Sequence, residues 1–409
     1  MSVTGALAEH PNGEASADDV VGGRAHSATG PPRKRIRVVF CLDNMTIGGT
    51  ELNAVRTAER LDRSRFDLSV ACLQEEGPLL ARFERAGIPV VVFPIDSLYG
   101  PRTLLQGIRL TRYLARERVD VVHSHDHYNS IFATICARAA GTPAVIASRR
   151  WLEPPRQEHE LLSRMAYRLA HRVLANSASV ATHLTDSQRV RSSRVVVIPN
   201  FVDESAFEPI PPGSKHDLRR ALGIPGDAPV VGIVANLSAV KDHATLLRAM
   251  AELRPRWPTL HLILVGDGPC RADLSALVDI LGLKGTVHFA GLQTSPWNLH
   301  HAFDVSVLCS ISEGFSNSIV EAMAAGRPVV ATNVGGNQDA VTAGLTGLLV
   351  PPRDPPRLAA AIEELLRNPE LRRTMGWAAR ERAAMEFTAA TVVRSLESLY
   401  YSMLTRTER

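Results

Sequence analysis

Cysteine is scarce and scattered in this sequence: Cys41, Cys72, Cys136, Cys270 and Cys309 include no C-x-x-C pair. That spacing excludes the compact zinc and redox motifs, whose paired ligands are near neighbours along the chain. The thiols read instead as buried side chains. Aromatic residues make up only 5% of the chain and are not interleaved with basic runs, and the net charge is +4 over 409 residues. Nucleic acid is therefore not an expected partner. No stretch approaches the roughly 18 consecutive apolar residues of a membrane-spanning helix. The amino-terminal stretch also lacks the basic start and apolar centre of a secretion signal, so the expected location is cytoplasmic.

What is present has a strong rhythm. Residues 1–32 are rich in Gly, Ala, Ser and Pro with few large apolar groups, too few to offset the entropy of ordering, and read as a disordered tail. From Ile36 onward, short apolar runs alternate with helix-length segments: IRVVFCL, FDLSVACL, IPVVVF, RVDVVHSH, PAVIAS, RVLANS and RVVVIP. Runs of this kind signal a parallel sheet covered on both faces. A segment dense in Pro and Gly follows Asn200, and the rhythm restarts at Pro229 with VVGIVAN, HLILVG, TVHFAG, DVSVLCS, RPVVATN and GLLVPP. The pattern predicts an α/β protein of two Rossmann-like domains, over 33–205 and 206–387. A last helix over 388–405, with Val392, Val393, Leu396, Leu399 and Tyr400 on one face, joins the first domain.

Ligands of open α/β sheets bind beyond the carboxyl ends of the strands, so motifs there carry the most weight. After DVSVLCS comes SEGFSNSIVEAMAAGRPVVAT, with Glu313 and Glu321 eight positions apart. Ser316 reads as an N-cap, Asn317–Ala325 as a helix and Gly326 as its stop. Glu313 then falls in the loop and Glu321 inside the helix. The free amides of Asn317, Ser318 and Ile319 point between them, where an anion, phosphate above all, is favoured. A nucleotide sugar supplies a phosphate group flanked by hydroxyl-bearing rings. In VANLSAVKDHATLL, Lys241 stands between a strand and a helix, ready to offset charge on a departing diphosphate. In IGGTEL, Gly48 and Gly49 permit close backbone approach to a ligand at another helix start.

Taken together, the Glu-x7-Glu stretch, GGTE at Gly48–Glu51, GDGP at Gly266–Pro269 and GGNQD at Gly335–Asp339 resemble the retaining GT-B glycosyltransferases of glycosyltransferase family 4. The resemblance runs from about Ile36 to the last helix. It implies a GT-B fold, two Rossmann-like domains facing each other across a cleft. The implied activity is transfer of a sugar from a nucleotide diphosphate donor, UDP most commonly and GDP next, to a hydroxyl of a lipid-linked saccharide, polysaccharide or other glycan. Retention of configuration, no metal and no cofactor are implied as well. Glu321 is expected on the ribose hydroxyls and Glu313 on the donor sugar. The amides of Gly314 and Phe315 would position sugar and phosphate, and Gly48 and Gly49 would border the cleft near the phosphates. Relatives often carry an arginine five residues before the lysine. Here that position is Asn236, which leaves Lys241 as the main cation.

The cluster VVHSHDHYN leaves a rival open. His123, His125 and His127 alternate along an extended segment beside Asp126, a pattern that also suits a metal-dependent hydrolase. The resemblance instead sets His125 against the transferred sugar. A non-catalytic nucleotide-sugar-binding protein is the other alternative, since one fold hosts many functions. Arg150 is a candidate contact to acceptor or phosphate. Arg102, Arg109, Arg112 and Arg116 group on one helical face, and with Arg33, Lys34, Arg35 and Arg37 they suggest either a solvated basic surface or peripheral contact with the anionic inner face of a membrane.

Overall fold

A computed structural model of the chain describes residues 35–152, 157–211, 213–293 and 296–405; the tail expected over 1–32, together with Arg33 and Lys34, lies outside them. Every apolar run read as a strand is one. The first sheet comprises β1 (Ile36–Leu42), β2 (Phe66–Cys72), β3 (Val90–Val92), β4 (Val121–Ser124), β5 (Ala144–Arg149), β6 (Arg172–Ala175) and β7 (Val195–Val197), in the order β3-β2-β1-β4-β5-β6-β7. The second comprises β8 (Val230–Val234), β9 (His261–Val265), β10 (Val287–Gly291), β11 (Val305–Leu308), β12 (Val329–Thr332) and β13 (Gly347–Val350), in the order β10-β9-β8-β11-β12-β13. The strand pairs within both sheets are parallel.

The continuous apolar character of these strands follows from burial on both faces. Along β1, Val38, Phe40 and Leu42 enter one core while Val39 and Cys41 enter another on the opposite face, as a period of two requires. The helix Ala389–Thr405 returns to the first sheet. Its Val392, Val393, Leu396, Leu399 and Tyr400 are buried in the same core as Phe40. The chain therefore crosses between the sheets twice, and the crossings are tied together: the Val202 amide donates to the Phe387 carbonyl at 3.1 Å. Beside this crossing Phe201 is buried in the first core, and Asp203 holds Arg56 Nε at 2.8 Å and Arg60 Nη2 at 2.6 Å.

In each sheet the strand order reverses direction at one place, between β1 and β4 and between β8 and β11. Those switch points open a crevice beyond the carboxyl ends of the strands. Of the residues singled out from sequence, Gly49, Arg150, Asn236, Lys241, Glu313 and Glu321 gather there.

Candidate active site

A cleft of about 340 Å³ is lined from the first half by Gly49, Thr50, Arg150, Trp151, Asn176 and Asn200. From the second half come Asn236, Lys241, Glu313, Phe315, Ser316, Asn317, Ser318 and Glu321. Segments from both halves of the chain thus face one space.

The second half builds its wall from two loop-to-helix junctions. After β8, Asn236 leads to Lys241, and Asp242 then takes a left-handed conformation, φ 46° and ψ 45°, to cap the helix His243–Leu253; its carboxylate accepts from the Thr245 hydroxyl at 2.7 Å. After β11, the helix Asn317–Ala324 begins at Ser316, whose hydroxyl accepts from the Ile319 amide at 3.4 Å. The amino end of that helix, with its unsatisfied amides, opens on the cleft. Between the junctions Lys241 forms a short ion pair with Glu313, and Ser310 Oγ donates to the same carboxylate oxygen at 2.6 Å. Glu321 sits one helical turn in and is 6% exposed. Burial pushes its carboxyl above the ordinary range, a rise that Arg56 partly offsets and Asp203 reinforces.

Gly314 shows why the loop needs a glycine. A β-carbon there would stand 1.8 Å from the Arg150 carbonyl oxygen, an overlap no side chain tolerates. The loop between Glu313 and the helix therefore lies directly against the first domain. Gly314 itself does not line the cleft, and neither does Gly48, which serves as N-cap of the helix Gly49–Arg60.

From the first half, Arg150 is the central group. Its Nη1 donates to Asn53 Oδ1 at 3.2 Å and to Asn200 Oδ1 at 3.0 Å, and its Nη2 donates to His125 Nδ1 at 3.3 Å. Asn200 in turn donates to Asn317 Oδ1 at 2.9 Å, a link from Arg150 to the phosphate-facing helix that no sequence motif announced. Burial lowers the Arg150 pKa to about 10, against the opposing pull of Asp126, Tyr400 and Glu51. His125 lies one side chain back from the cleft, 1% exposed, because Arg150 occupies the face in front of it. Burial, then His123 and Arg150, hold its pKa well below the usual imidazole value, so the ring is neutral.

The histidine cluster does not assemble as a metal site. His123 has both ring nitrogens engaged in the core, Nδ1 with the Tyr400 hydroxyl at 2.8 Å and Nε2 with Ser148 Oγ at 3.0 Å. His127 turns the other way, its ring edge-on to Trp151 and Tyr128. The hydrolase alternative is corrected on that ground: the alternation that looked like a ligand set spends its first member on packing. Among the described residues no group of three His, Cys, Asp or Glu side chains is placed to hold a metal ion. Several cleft residues, Asn53 behind it and Trp151 and Asn176 in its wall, escaped the sequence reading because no spacing rule marks them; Asn53 comes from the helix Gly49–Arg60, and Trp151 and Asn176 follow β5 and β6.

Comparison with known proteins agrees with this arrangement. The Glycosyltransferase Family 4 model matches residues 47–206, and the model of glycosyl transferases group 1 matches residues 214–382. The chain is 34% identical over 307 residues to the D-inositol 3-phosphate glycosyltransferase of Frankia alni, covering 68% of this chain and 73% of that one. It is 32% identical over 247 residues to the enzyme of the same name from Corynebacterium urealyticum, where the match spans 58% of each chain, little more than half of that relative's length. The crystal structure of Anabaena Alr3699/HepE in complex with UDP superposes with a TM-score of 0.80 at 26% identity, over 90% of this chain and 100% of the other. Two doubly wound sheets around one polar cleft, and relatives of this similarity over this length, lead to one conclusion: the chain belongs to the GT-B glycosyltransferases, with a family 4 amino-terminal half and a group 1 carboxyl-terminal half.

Proposed function

We propose that this glycosyltransferase takes its sugar from a UDP-linked donor and passes it, with retention of anomeric configuration and without a metal, to a hydroxyl of a glycan acceptor. The observation that carries the reading is the shared placement of Lys241, the amino end of Asn317–Ala324, Glu313 and Glu321 around one cleft. A diphosphate against that helix end meets amide donors and the lysine ammonium, which together offset charge developing on the leaving group. Glu321 then receives the ribose hydroxyls and Glu313 those of the sugar. The superposable Anabaena protein, solved with UDP, with UDP and glucose, and with UDP-glucose, supports the choice of donor.

In the reaction the bond from the anomeric carbon to the phosphate oxygen breaks and a bond to the acceptor oxygen forms on the same face. The acceptor proton passes to the departing phosphate. His125, neutral and set back behind Arg150, takes no part in holding charge; it keeps the guanidinium in place. This reading places the transfer in the cytoplasm. No described helix is long and apolar enough to cross a membrane.

The reading is tested by calorimetry of the protein with UDP and UDP-glucose in chelator, followed by proton NMR of the product. Micromolar UDP binding in chelator and an axial product linkage from an axial donor are expected. Binding that returns only with added divalent metal, or an inverted product, overturns it.

A further inference from the structure

A second, apolar cavity lies away from the donor cleft. The helix Pro101–Arg116 packs beside His127–Ala139 and Gln157–Leu169, and the three leave a groove of about 630 Å³ between them. Its walls are hydrocarbon: Leu104, Ile108, Phe132 and Ile135 face into it. The surrounding surface is apolar as well, with Leu104 68%, Leu161 67% and Met165 48% exposed. Single exposed apolar residues are ordinary, but a contiguous patch around a groove marks a binding surface.

Two further observations say what the groove takes. First, a polar pocket of about 250 Å³ lies beside it at the carboxyl end of the first sheet, lined by Asp43, Asn44, Gln74, Asp96, Ser97 and Tyr128. The chain itself joins the two: Ile95–Ser97 line the pocket and Leu98–Gly100 line the groove. His159 bridges them, its ring 5.4 Å from Tyr128 on one side and stacked 6.1 Å from Tyr99 on the other. Second, Gly107 leaves the groove floor without a side chain, in the middle of a helix where glycine costs about 1 kcal/mol relative to alanine. A β-carbon there would meet Cys136 and Phe132 at 3.6 Å, an ordinary contact, so alanine fits and only a longer side chain would fill the floor.

We infer that this groove seats the hydrocarbon chain of an amphiphilic acceptor whose hydroxylated head lies in the polar pocket. Calling the occupant an acceptor rests on the transferase reading; the groove and its ligand chemistry do not. Gly100 to Arg112 gives the groove about 18 Å at 1.5 Å of rise per residue, long enough for a chain rather than a methyl group. Charge at the rim suits an anionic linkage between head and chain. Arg112 lines the groove and is exposed, and the nearby acid Asp96 is already paired with Arg102 at 2.7 Å. The pocket is tied to the donor cleft by a short relay. Asp43 accepts from the Tyr128 and Asn129 amides at 3.2 and 2.8 Å, Asp126 accepts from the Asp43 amide at 3.0 Å, and Asp126 acts electrostatically on Arg150 in the cleft wall.

The test uses the full chain and dansyl-undecanoate, a fluorescent single-chain anion, titrated below its aggregation limit. Wild type is expected to bind one equivalent saturably, with Gly107→Ala close to wild type. Gly107→Leu, which fills the floor, and Ile108→Glu, which charges an exposed wall, should each bind at least about tenfold more weakly. UDP calorimetry and circular dichroism should be unchanged in all of them. With a UDP-sugar donor, an octyl glycoside should outperform the methyl glycoside of the same sugar in wild type, and the advantage should vanish in Gly107→Leu. Equal probe binding by wild type and both filled or charged variants overturns the proposal. So does sedimentation showing a wild-type dimer that Ile108→Glu dissociates, since the face is then an interface between copies. Failure of UDP to bind wild type counts against the donor reading alone and leaves the groove to be decided by the probe.

Discussion

The carboxyl edges of the two sheets share a topology and treat charge in opposite ways. At the first edge titratable groups are sealed in. Burial raises the Asp43 carboxyl to about 6 and the Asp126 carboxyl well above its usual range, holds His123 and His125 far below theirs, and brings Arg150 down to about 10. At the second edge Lys241 pairs with Glu313, their side chains 25% and 9% exposed. A sealed edge, its Arg150 guanidinium held by hydrogen bonds, suits a partner with hydroxyls; an edge that can exchange its own ion pair for a ligand suits a diphosphate. The same switch-point geometry therefore yields a positioning surface on one side and a charge-handling surface on the other.

If the first edge is a sealed unit, removing its arginine should cost most. Arg150→Met keeps the stem but leaves Asn53 and Asn200 without their donor and Asp126 without its cation. Losing one member of a buried charged network costs about 3–5 kcal/mol, read as a fall in the denaturation midpoint at unchanged slope. A stability change below about 1 kcal/mol would show that the edge is not sealed. Lys241→Ala should behave differently. Its ammonium is partly exposed but Glu313 is buried and would keep only Ser310 as partner, so the midpoint should fall by about 1–3 kcal/mol, less than in Arg150→Met. Transfer should fall about 10²–10³-fold if the lysine offsets leaving-group charge, measured as UDP release under saturating donor.

Much of this division was legible in sequence, and the illegible part has a physical cause. Strands show themselves by uniform apolarity, so the runs from IRVVFCL to GLLVPP needed no tertiary information. The Ser316 cap and the loop and helix positions of Glu313 and Glu321 followed from local capping chemistry, which acts over a few residues. The Asn200–Asn317 link, the contact of Gly314 with the Arg150 carbonyl and the withdrawal of His125 behind Arg150 depend on how two distant loops meet. No periodicity records that. The basic face of the helix Pro101–Arg116 was visible as spaced arginines, but its apolar counterpart exists only once three helices are brought side by side.

Glu321 is the point where the contrast between the edges blurs, because it belongs to the charged edge yet is buried and has a raised pKa. Its replacement sharpens the assignment of roles within the cleft. Glu321→Ala should weaken UDP binding by about 1–3 kcal/mol, the cost of leaving a ligand hydroxyl unpaired. The maximal rate at saturating donor should change little, because ribose contacts are as strong in the ground state as in the transition state. Calorimetry and steady-state kinetics read the two quantities separately. A fall in maximal rate with unchanged UDP affinity would move Glu321 from ribose to the reacting sugar.

The smallest expected effect concerns Asn236, which lines the cleft beside Lys241 where relatives often have arginine. An amide there can donate a hydrogen bond to phosphate but carries no charge, and the cation that lines the cleft besides Lys241 is Arg150, from the opposite edge. Introducing the missing charge with Asn236→Arg adds a partly solvated cation to a site that already has one, and such an addition is worth about 0.5–1 kcal/mol. UDP should bind a few-fold more tightly, with the gain shrinking as salt rises because the new charge is screened. If Arg150 already supplies that charge across the cleft, the gain should be larger in an Arg150→Met background than in wild type. Equal gains in both backgrounds would mean that the two edges act on the diphosphate independently.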